Sequence, residues 1–353
     1  MKKLKIHISS ATAAEKRLLE GFLPECALEF VRSLEETPRN ATVLSIFFRD
    51  EIDAAFLKAR PALRLINSRS TTLDHIDLAA CAQRKIEVRN VATYGENTVA
   101  EHTFALLLAV SRRLRECYDA VNSGRFDSEN LRGFDLRGKT IGVIGAGRIG
   151  LQVIRIAKGF GMRVLAYDES PKAFYTELLD FAYVPPARLL AESDVLSLHM
   201  PLTKANHHWL NRERLELCKP GVVVINTARG GLVDTEALLE GLENGHVSAA
   251  GFDVLEEERV FQGGAMNVLG SQIAERLQAA GGHGGEKRLA EIQKLWRNSA
   301  LLKHPRVVFT PHVAYNSDEA IRRLCEVTAG QIKEFAAQSF TSPKRKSSVI
   351  KRA

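Results

Sequence analysis

The chain has 353 residues, 45% of them hydrophobic and 26% charged, which predicts about two ordinary globular domains, each long enough to bury a core. No apolar run reaches the roughly 18 residues that span a bilayer, so no membrane partner is expected. The net charge of +7 is concentrated at one end: Lys344, Arg345, Lys346, Lys351 and Arg352 carry five of the seven charges, which leaves +2 on the rest and argues against a nucleic-acid partner.

In chain order, Met1-Lys2-Lys3-Leu4 is basic but leads into a short strand-like run rather than a signal-peptide core. Leu4–Ile8, Thr42–Phe48, Leu63–Asn67 and Ile86–Asn90 read as buried strands, and Ala13–Leu23 reads as a helix between them. Residues 1–98 therefore form a small doubly wound α/β unit. A long helix is predicted from an N-cap at Asn97 to about Val121. Its apolar face (Phe104, Leu106, Leu107, Leu108, Val110) is richer than one core requires and is a candidate dimer contact. Thr140–Ile144, Arg163–Tyr167, Val195–His199, Val222–Asn226 and Ala249–Val254 are the strands of a second unit, and their alternation with helices predicts a parallel sheet covered on both faces. Arg259–Lys303 carries glycine clusters at 263–264 and 281–285, with helical patterning at Ser271–Ala279 and Glu286–Trp296, and reads as a surface insertion, a candidate lid or oligomer contact. Residues 341–353 have no apolar period and read as a basic, disordered tail. The five cysteines, Cys26, Cys81, Cys117, Cys218 and Cys325, form no C-x-x-C pair, which predicts reduced thiols in a cytoplasmic protein. No metal site is expected: His283, alone among glycines, has no partner ligands.

The most specific local signal is Thr140–Gly150, a strand running into Gly145-x-Gly147-x-x-Gly150 and then a helix. Gly145 permits the tight turn, Gly147 the close approach of a pyrophosphate, and Gly150 close packing of helix on strand. The helix N-terminus offers unbonded N–H groups to phosphate. Asp168, 18 residues beyond Gly150 at the next strand end, is placed to accept from a ribose 2′-OH and to repel a 2′-phosphate, which favours NAD over NADP.

Three further strand ends carry polar groups: Arg229 after Val222–Asn226, the carboxylates of Asp253–Glu258, and His312 after Val307–Phe309. Taken singly, each also fits a cap, a solvated loop face or a turn residue. Together, beside a dinucleotide fold, they match hydride transfer at a 2-keto acid. Negative charge develops on the ketone oxygen, so a positioned acid must supply a proton, and histidine titrates near neutrality. A neighbouring carboxylate favours imidazolium, and a guanidinium grips a planar carboxylate and polarises a carbonyl.

The series Ser68–Asp77, Tyr94–His102, Leu136–Gly150, His199-Met200-Pro201-Leu202-Thr203, Asn226–Leu238, Asp253–Glu258 and Pro311–Tyr315 resembles the D-isomer-specific 2-hydroxyacid dehydrogenase family, closest to its D-lactate dehydrogenase-like branch. The resemblance spans most of residues 60 to 260 and resumes at about 305. It implies a Rossmann NAD-binding domain (99–306) inserted into a flavodoxin-like substrate domain (1–98 and 307–340), with reversible reduction of a 2-keto acid to the D-2-hydroxy acid, pyruvate/D-lactate first. It further implies Arg229 as substrate-binding arginine, His312 as general acid/base and Glu258 as its paired acid. Asp253 falls near the nicotinamide amide, Arg148 and Ile149 at the pyrophosphate, and His199, Pro201, Thr227 and Ala228 in the cofactor set. Thr71 and Thr72 match the loop whose N–H groups hold the substrate carboxylate; Tyr94 and Tyr315 match aromatic positions over the substrate. Phe47 and Phe48 are candidate pocket walls, with core packing expected for at least one. Such enzymes are typically homodimers.

Two departures stand out. Thr72 occupies a position where the family usually carries glycine, and 259–303 is longer than its norm. Glu256 and Glu257 compete with Glu258 for the role of working acid. An NAD-sensing co-repressor of the same fold, with the basic tail as its local support, is the alternative from a different functional class.

Overall fold

Short runs of branched apolar residues between turn residues can bury both faces only in a parallel sheet flanked by helices. The structure, a computed structural model, has two such sheets; it describes residues 3–126, 129–256, 258, 285–341 and 350–352. The chain divides into two units, residues 1–95 with 316–353, and residues 96–315.

In the first unit the strands are β1 (Lys5–Ser9), β2 (Ala27–Val31), β3 (Val43–Ile46), β4 (Leu65–Ser68), β5 (Glu87–Asn90) and β13 (Ile350–Arg352), in the order β2-β1-β3-β4-β5-β13 and all parallel. The first five follow the flavodoxin-like order. One core (Leu44, Ile46, Leu57, Ile66, Val88) lies on one face. The other (Ile6, Ile8, Val43, Leu65) packs on α1 (Ala13–Phe22) and on the helix Asp318–Thr341 through Cys325, Ala329 and Ile332. The capping box of Thr12 and Glu15 starts α1. Glu15 also meets Arg69, which is fully buried: Arg69 Nε lies 3.3 Å from Glu15 Oε1, Nη1 donates to Ser45 Oγ at 3.1 Å and Nη2 to the Ser9 carbonyl at 2.7 Å. One guanidinium thus ties the ends of β1, β3 and β4 to α1.

The second unit has β6 (Thr140–Ile144), β7 (Arg163–Tyr167), β8 (Ala182–Tyr183), β9 (Val195–Leu198), β10 (Val222–Asn226), β11 (Val247–Phe252) and β12 (Val307–Phe309), in the order β8-β7-β6-β9-β10-β11-β12, all parallel. The first six strands have the Rossmann order, with the reversal between β6 and β9. Cores on the two faces of this sheet bury Leu196, Leu198, Leu238 and Phe252 on one side and Ile141, Val143, Val153 and Ile225 on the other.

Several expectations change. The crossing into the second unit falls at Glu96, where α4 (Glu96–Ser111) starts, not at an Asn97 cap; Asn97 instead donates to Glu101 Oε1 at 2.5 Å. The long helix breaks at Arg113, left-handed at φ 52°, before α5 (Leu114–Asn122). The cause is a contact from further along the chain: Phe134 N donates to the Ser111 carbonyl at 2.9 Å, and a Cβ on Gly133 would sit 2.1 Å from that oxygen. Of the apolar side chains of α4, Phe104, Leu106, Leu107 and Val110 are buried in the chain's own core and Leu108 partly so, while Leu114, Tyr118 and Val121 of α5 are exposed. Residues 307–309 do not return to the first unit but form a seventh strand on β11, and the return comes at Asn316. Nor is residue 341 onward all solvated tail: Thr341 ends a helix and Ile350–Arg352 pair with β5, covering what would be an open sheet edge. The helix Gly285–Lys303 contains the patterned stretch 286–296; Ser271–Ala279, His283 and Glu257 lie outside the described residues.

Replacing Arg69 with alanine strands a nearly fully buried Glu15 carboxylate. A loss of about 3–5 kcal/mol is expected, read as a lower midpoint of urea unfolding by far-ultraviolet circular dichroism; a wild-type midpoint would show that the pair does not hold this sheet.

Candidate active site

In the second unit, register brings the strand ends into one row. Tyr167, Ile144, Leu198, Asn226, Phe252 and Phe309 are successive partners across β7, β6, β9, β10, β11 and β12. The next residue on each strand is Asp168, Gly145, His199, Thr227, Asp253 and Thr310. At ~4.8 Å per strand the row is about 24 Å long, the scale of an extended dinucleotide, and it follows the carboxyl edge where such sheets bind ligands.

One end of the row is the glycine turn. Gly145 has φ +98°, and a Cβ there would lie 2.7 Å from the main chain of His199 and Met200; a Cβ on Gly150 would lie 2.0 Å from the Gly145 carbonyl oxygen. Both glycines are thus needed for packing. Gly147 differs: it caps α6 (Arg148–Gly159) with no side-chain bond, and a Cβ there would meet open space. That is the side from which a pyrophosphate can approach the free N–H groups of the helix. Arg148 is exposed and lies 3.9 Å from Glu96, and Ile149 packs at the edge of the core. Beside the turn, a cavity of about 140 Å³ is lined by Gly145, Gly147, Tyr167, Asp168, His199 and Pro201 among others. Asp168 accepts from Ala146 N and Ser170 N, both at 2.8 Å, so it shapes the glycine turn. Burial pushes the His199 imidazole down to about 3, and its Nε2 lies 2.7 Å from Ser197 Oγ.

The other end brings His312 and Glu258 together. His312 Nδ1 lies 2.5 Å from Glu258 Oε1, while Glu258 Oε2 accepts from Leu255 N at 3.4 Å. Of the two described competitors Glu258 is therefore the acid on the imidazole; Glu256 faces His207 and His208 instead. His312 sits at φ 54°, a left-handed conformation that costs a non-glycine residue about 1 kcal/mol or more. Asp253 holds it there. Fully buried, its Oδ1 accepts from Thr310 Oγ1 at 2.5 Å and Val313 N at 2.9 Å, its Oδ2 from Ala314 N at 2.8 Å, and its carbonyl from His312 N at 2.8 Å. The placement of Asp253 is thus that of a clamp on the histidine turn. The histidine ring faces Tyr315 edge-on, with centroids 6.4 Å apart.

Arg229 follows β10 by three residues. Buried Asn226 fixes that turn, accepting from Ala228 N and donating to the Arg229 carbonyl, each at 2.9 Å; Thr227 Oγ1 meets Thr103 Oγ1, also at 2.9 Å. Sequence reasoning assigned no role to His102, whose Nε2 lies 2.9 Å from Thr310 Oγ1 and 3.6 Å from Asp253 Oδ1. Its only signal was a histidine on an otherwise apolar helix face.

In the first unit Thr71 and Thr72 follow β4 and Tyr94 follows β5, at the carboxyl edge of that sheet. Asn90 Nδ2 donates to the Thr71 carbonyl at 2.7 Å, and Ser70 Oγ to that of Thr72 at 2.7 Å. Thr72 is not left-handed, so a β-branched residue fits where glycine is usual. Tyr94 is buried, with Arg323 Nε donating to its carbonyl at 2.8 Å; Phe47 is a core residue and Phe48 half-buried.

The sheet order, glycine turn and strand-end acid define a dinucleotide-binding α/β protein of the Rossmann class. The description D-isomer specific 2-hydroxyacid dehydrogenase, NAD binding domain, matches residues 104–314. Over 340 residues the chain is 33% identical to the D-lactate dehydrogenase of Escherichia coli K12, covering 92% of this chain and 94% of that one. Over 310 residues it is 33% identical to a glyoxylate reductase of Thermococcus litoralis, covering 86% and 83%. The crystal structure of D-lactate dehydrogenase from Aquifex aeolicus complexed with NAD and lactic acid matches with a TM-score of 0.77 at 33% identity, covering 94% and 96%. The chain belongs to the D-isomer-specific 2-hydroxyacid dehydrogenase family, on its D-lactate dehydrogenase-like side, and its cofactor is NAD.

Two outcomes are expected. Asp168→Asn removes the charge but keeps an acceptor for the glycine turn, so the NADPH/NADH ratio of kcat/KM should rise about tenfold, equivalent to ~1.4 kcal/mol; an unaltered ratio would discredit the ribose contact. His199, depressed by burial, binds fewer protons folded than unfolded between its ordinary value of 6.5 and about 3. Stability should therefore fall as pH drops through that window, by up to about 1.4 kcal/mol per pH unit. Urea unfolding followed by Trp209 and Trp296, both in this unit, should show a flatter pH slope in His199→Asn.

Proposed function

We propose that the protein reversibly reduces a 2-keto acid to its D-2-hydroxy acid with NADH, pyruvate and D-lactate being the first substrate pair to test. The observation that carries this reading is the His312–Glu258 pair on the same sheet edge as the glycine cradle. Bound NADH supplies hydride to the carbonyl carbon. Its charge accumulates on the carbonyl oxygen, where His312 delivers a proton. With Nδ1 engaged by Glu258, the exchange falls to Nε2, and the carboxylate fixes the orientation of the ring. Arg229 grips the substrate carboxylate and polarises the carbonyl through its N–H fork. On this reading Thr71 and Thr72 give main-chain donors to the same carboxylate, and Tyr94 and Tyr315 wall the substrate. Arg148, Ile149, Pro201, Thr227 and Ala228 contact the cofactor, and Asp253 orients the histidine turn.

The same proposal includes a homodimer using the exposed apolar face of α5, and a cytoplasmic location. All five cysteines are unpaired, and among the described residues no helix is long and apolar enough to cross a membrane. The relatives named above include both a lactate and a glyoxylate enzyme, so substrate size is the open variable.

Purified protein should oxidise NADH when pyruvate, hydroxypyruvate, glyoxylate or a branched 2-keto acid is added, and the product should be the D isomer. His312→Gln should lower kcat by about 10²–10⁴-fold with NADH affinity nearly intact. Tight NADH binding without oxidation across the panel would favour a sensor, and wild-type turnover in His312→Gln would remove the histidine from its role.

A further inference from the structure

His207, His208 and Glu256 form a cluster that the reaction does not use. His207 Nε2 lies 3.3 Å from Glu256 Oε1, and His208 Nε2 lies 3.2 Å from Glu256 Oε2. The two rings are stacked, with centroids 3.9 Å apart, so both present the same edge to one carboxylate. One nitrogen from each histidine and one carboxylate oxygen all lie within 4.8 Å of one another. Ligands about 2.0–2.2 Å from a tetrahedral zinc stand roughly 3.4 Å apart, close to the histidine–carboxylate separations seen here. Two imidazoles and a carboxylate are donors that a zinc-class ion accepts, and an exposed side leaves room for a fourth ligand such as water.

The cluster is held by its surroundings. His208 is left-handed at φ 52°, and its N–H donates to the Gly231 carbonyl at 2.8 Å. Glu256 is mostly buried, and its carbonyl accepts from Asn298 Nδ2 at 2.8 Å. A Cβ on Gly230 would lie 1.9 Å from the Leu255 carbonyl carbon, so the turn after β10 lies directly on the segment carrying Glu256. Two adjacent histidines from the loop after β9 thus meet a carboxylate from the loop after β11. Lys294 Nζ, 3.7 Å from Glu256 Oε1, competes for the same oxygen.

We infer that His207, His208 and Glu256 form a divalent transition-metal site of the zinc class, bridging the loops that follow β9 and β11. The absence of a metal site expected from the sequence rested on the cysteines and His283, and neither belongs to this cluster. Occupation would fasten the segment leading to Glu258 without touching the reacting groups.

The test uses tag-free, chelator-treated full-length protein and zinc chloride. Competition with a zinc-sensitive dye should give one tight equivalent per chain, and the thermal midpoint should rise with zinc and fall back on adding EDTA. His207→Gln, at an exposed position, should weaken binding at least tenfold while zinc-free turnover with NADH stays unchanged. Lys294→Met should tighten binding, and His246→Gln, a histidine outside the cluster, should not alter it. Cobalt(II) in place of zinc should give a tetrahedral visible spectrum without thiolate charge-transfer bands. Failure to bind a stoichiometric equivalent, equal affinity in His207→Gln, or a thiolate spectrum would each overturn the site.

Discussion

The turn that carries His312 in the second unit depends on the buried carboxylate of Asp253. A carboxylate with no exposure must find donors, and it finds the Thr310 hydroxyl and the N–H groups of Val313 and Ala314. Those donors lie on both sides of His312, so satisfying the carboxylate forces the chain to turn there. The left-handed backbone of His312 is unfavourable alone, but the surrounding bonds over-determine it. The imidazole is then directed at Glu258, which comes from the same loop as Asp253. His312, Glu258 and Asp253 therefore come from the ends of two neighbouring strands, β11 and β12, and their geometry follows from sheet register.

That register also explains why the glycine turn and the His312–Glu258 pair share one edge. Parallel strands in register end together, and each can contribute one residue to a continuous row. Asp168 and Thr310 stand at opposite ends of this row, with Gly145, His199, Thr227 and Asp253 between them. The depressed His199 has a place in this order: a neutral ring beside the glycine cradle adds no charge that would have to be balanced. Asp168, at the end of β7, bonds the turn at Ala146 and Ser170.

Much of this was legible because the relevant signals are local. Five-residue apolar runs, the Gly145–Gly150 spacing and Asp168 at the following strand end each encode their own structure, and the family motifs pointed to the His312–Glu258 pairing. Other features were hidden because they depend on partners distant in the chain. Ala182–Tyr183 is too short to show a pattern, and Ala27–Val31, half-buried throughout, lacks the fully apolar signature of a central strand. The break at Arg113 is imposed by residues 133–134, and the burial of α4's apolar face by packing against α6 and the sheet. Arg69 carries no local mark of burial, because Ser9, Ser45 and Glu15 close around it from elsewhere in the chain. Ile350–Arg352 looked solvated because composition alone cannot show that β5 needs a neighbour.

The loops of the second unit are not independent carriers of function. Gly230 presses the turn after β10 onto Leu255 and Glu256, so Arg229 and Glu258 are spaced by a contact that admits no side chain. Gly231 in turn accepts from His208 N, joining the loop after β9 to the same contact. A shift in any one of these segments must displace the others, because close-packed main chain transmits strain instead of absorbing it. The groups proposed to bind substrate and to transfer the proton are therefore mechanically coupled, and substitutions among them should combine non-additively, as expected for residues that share partners.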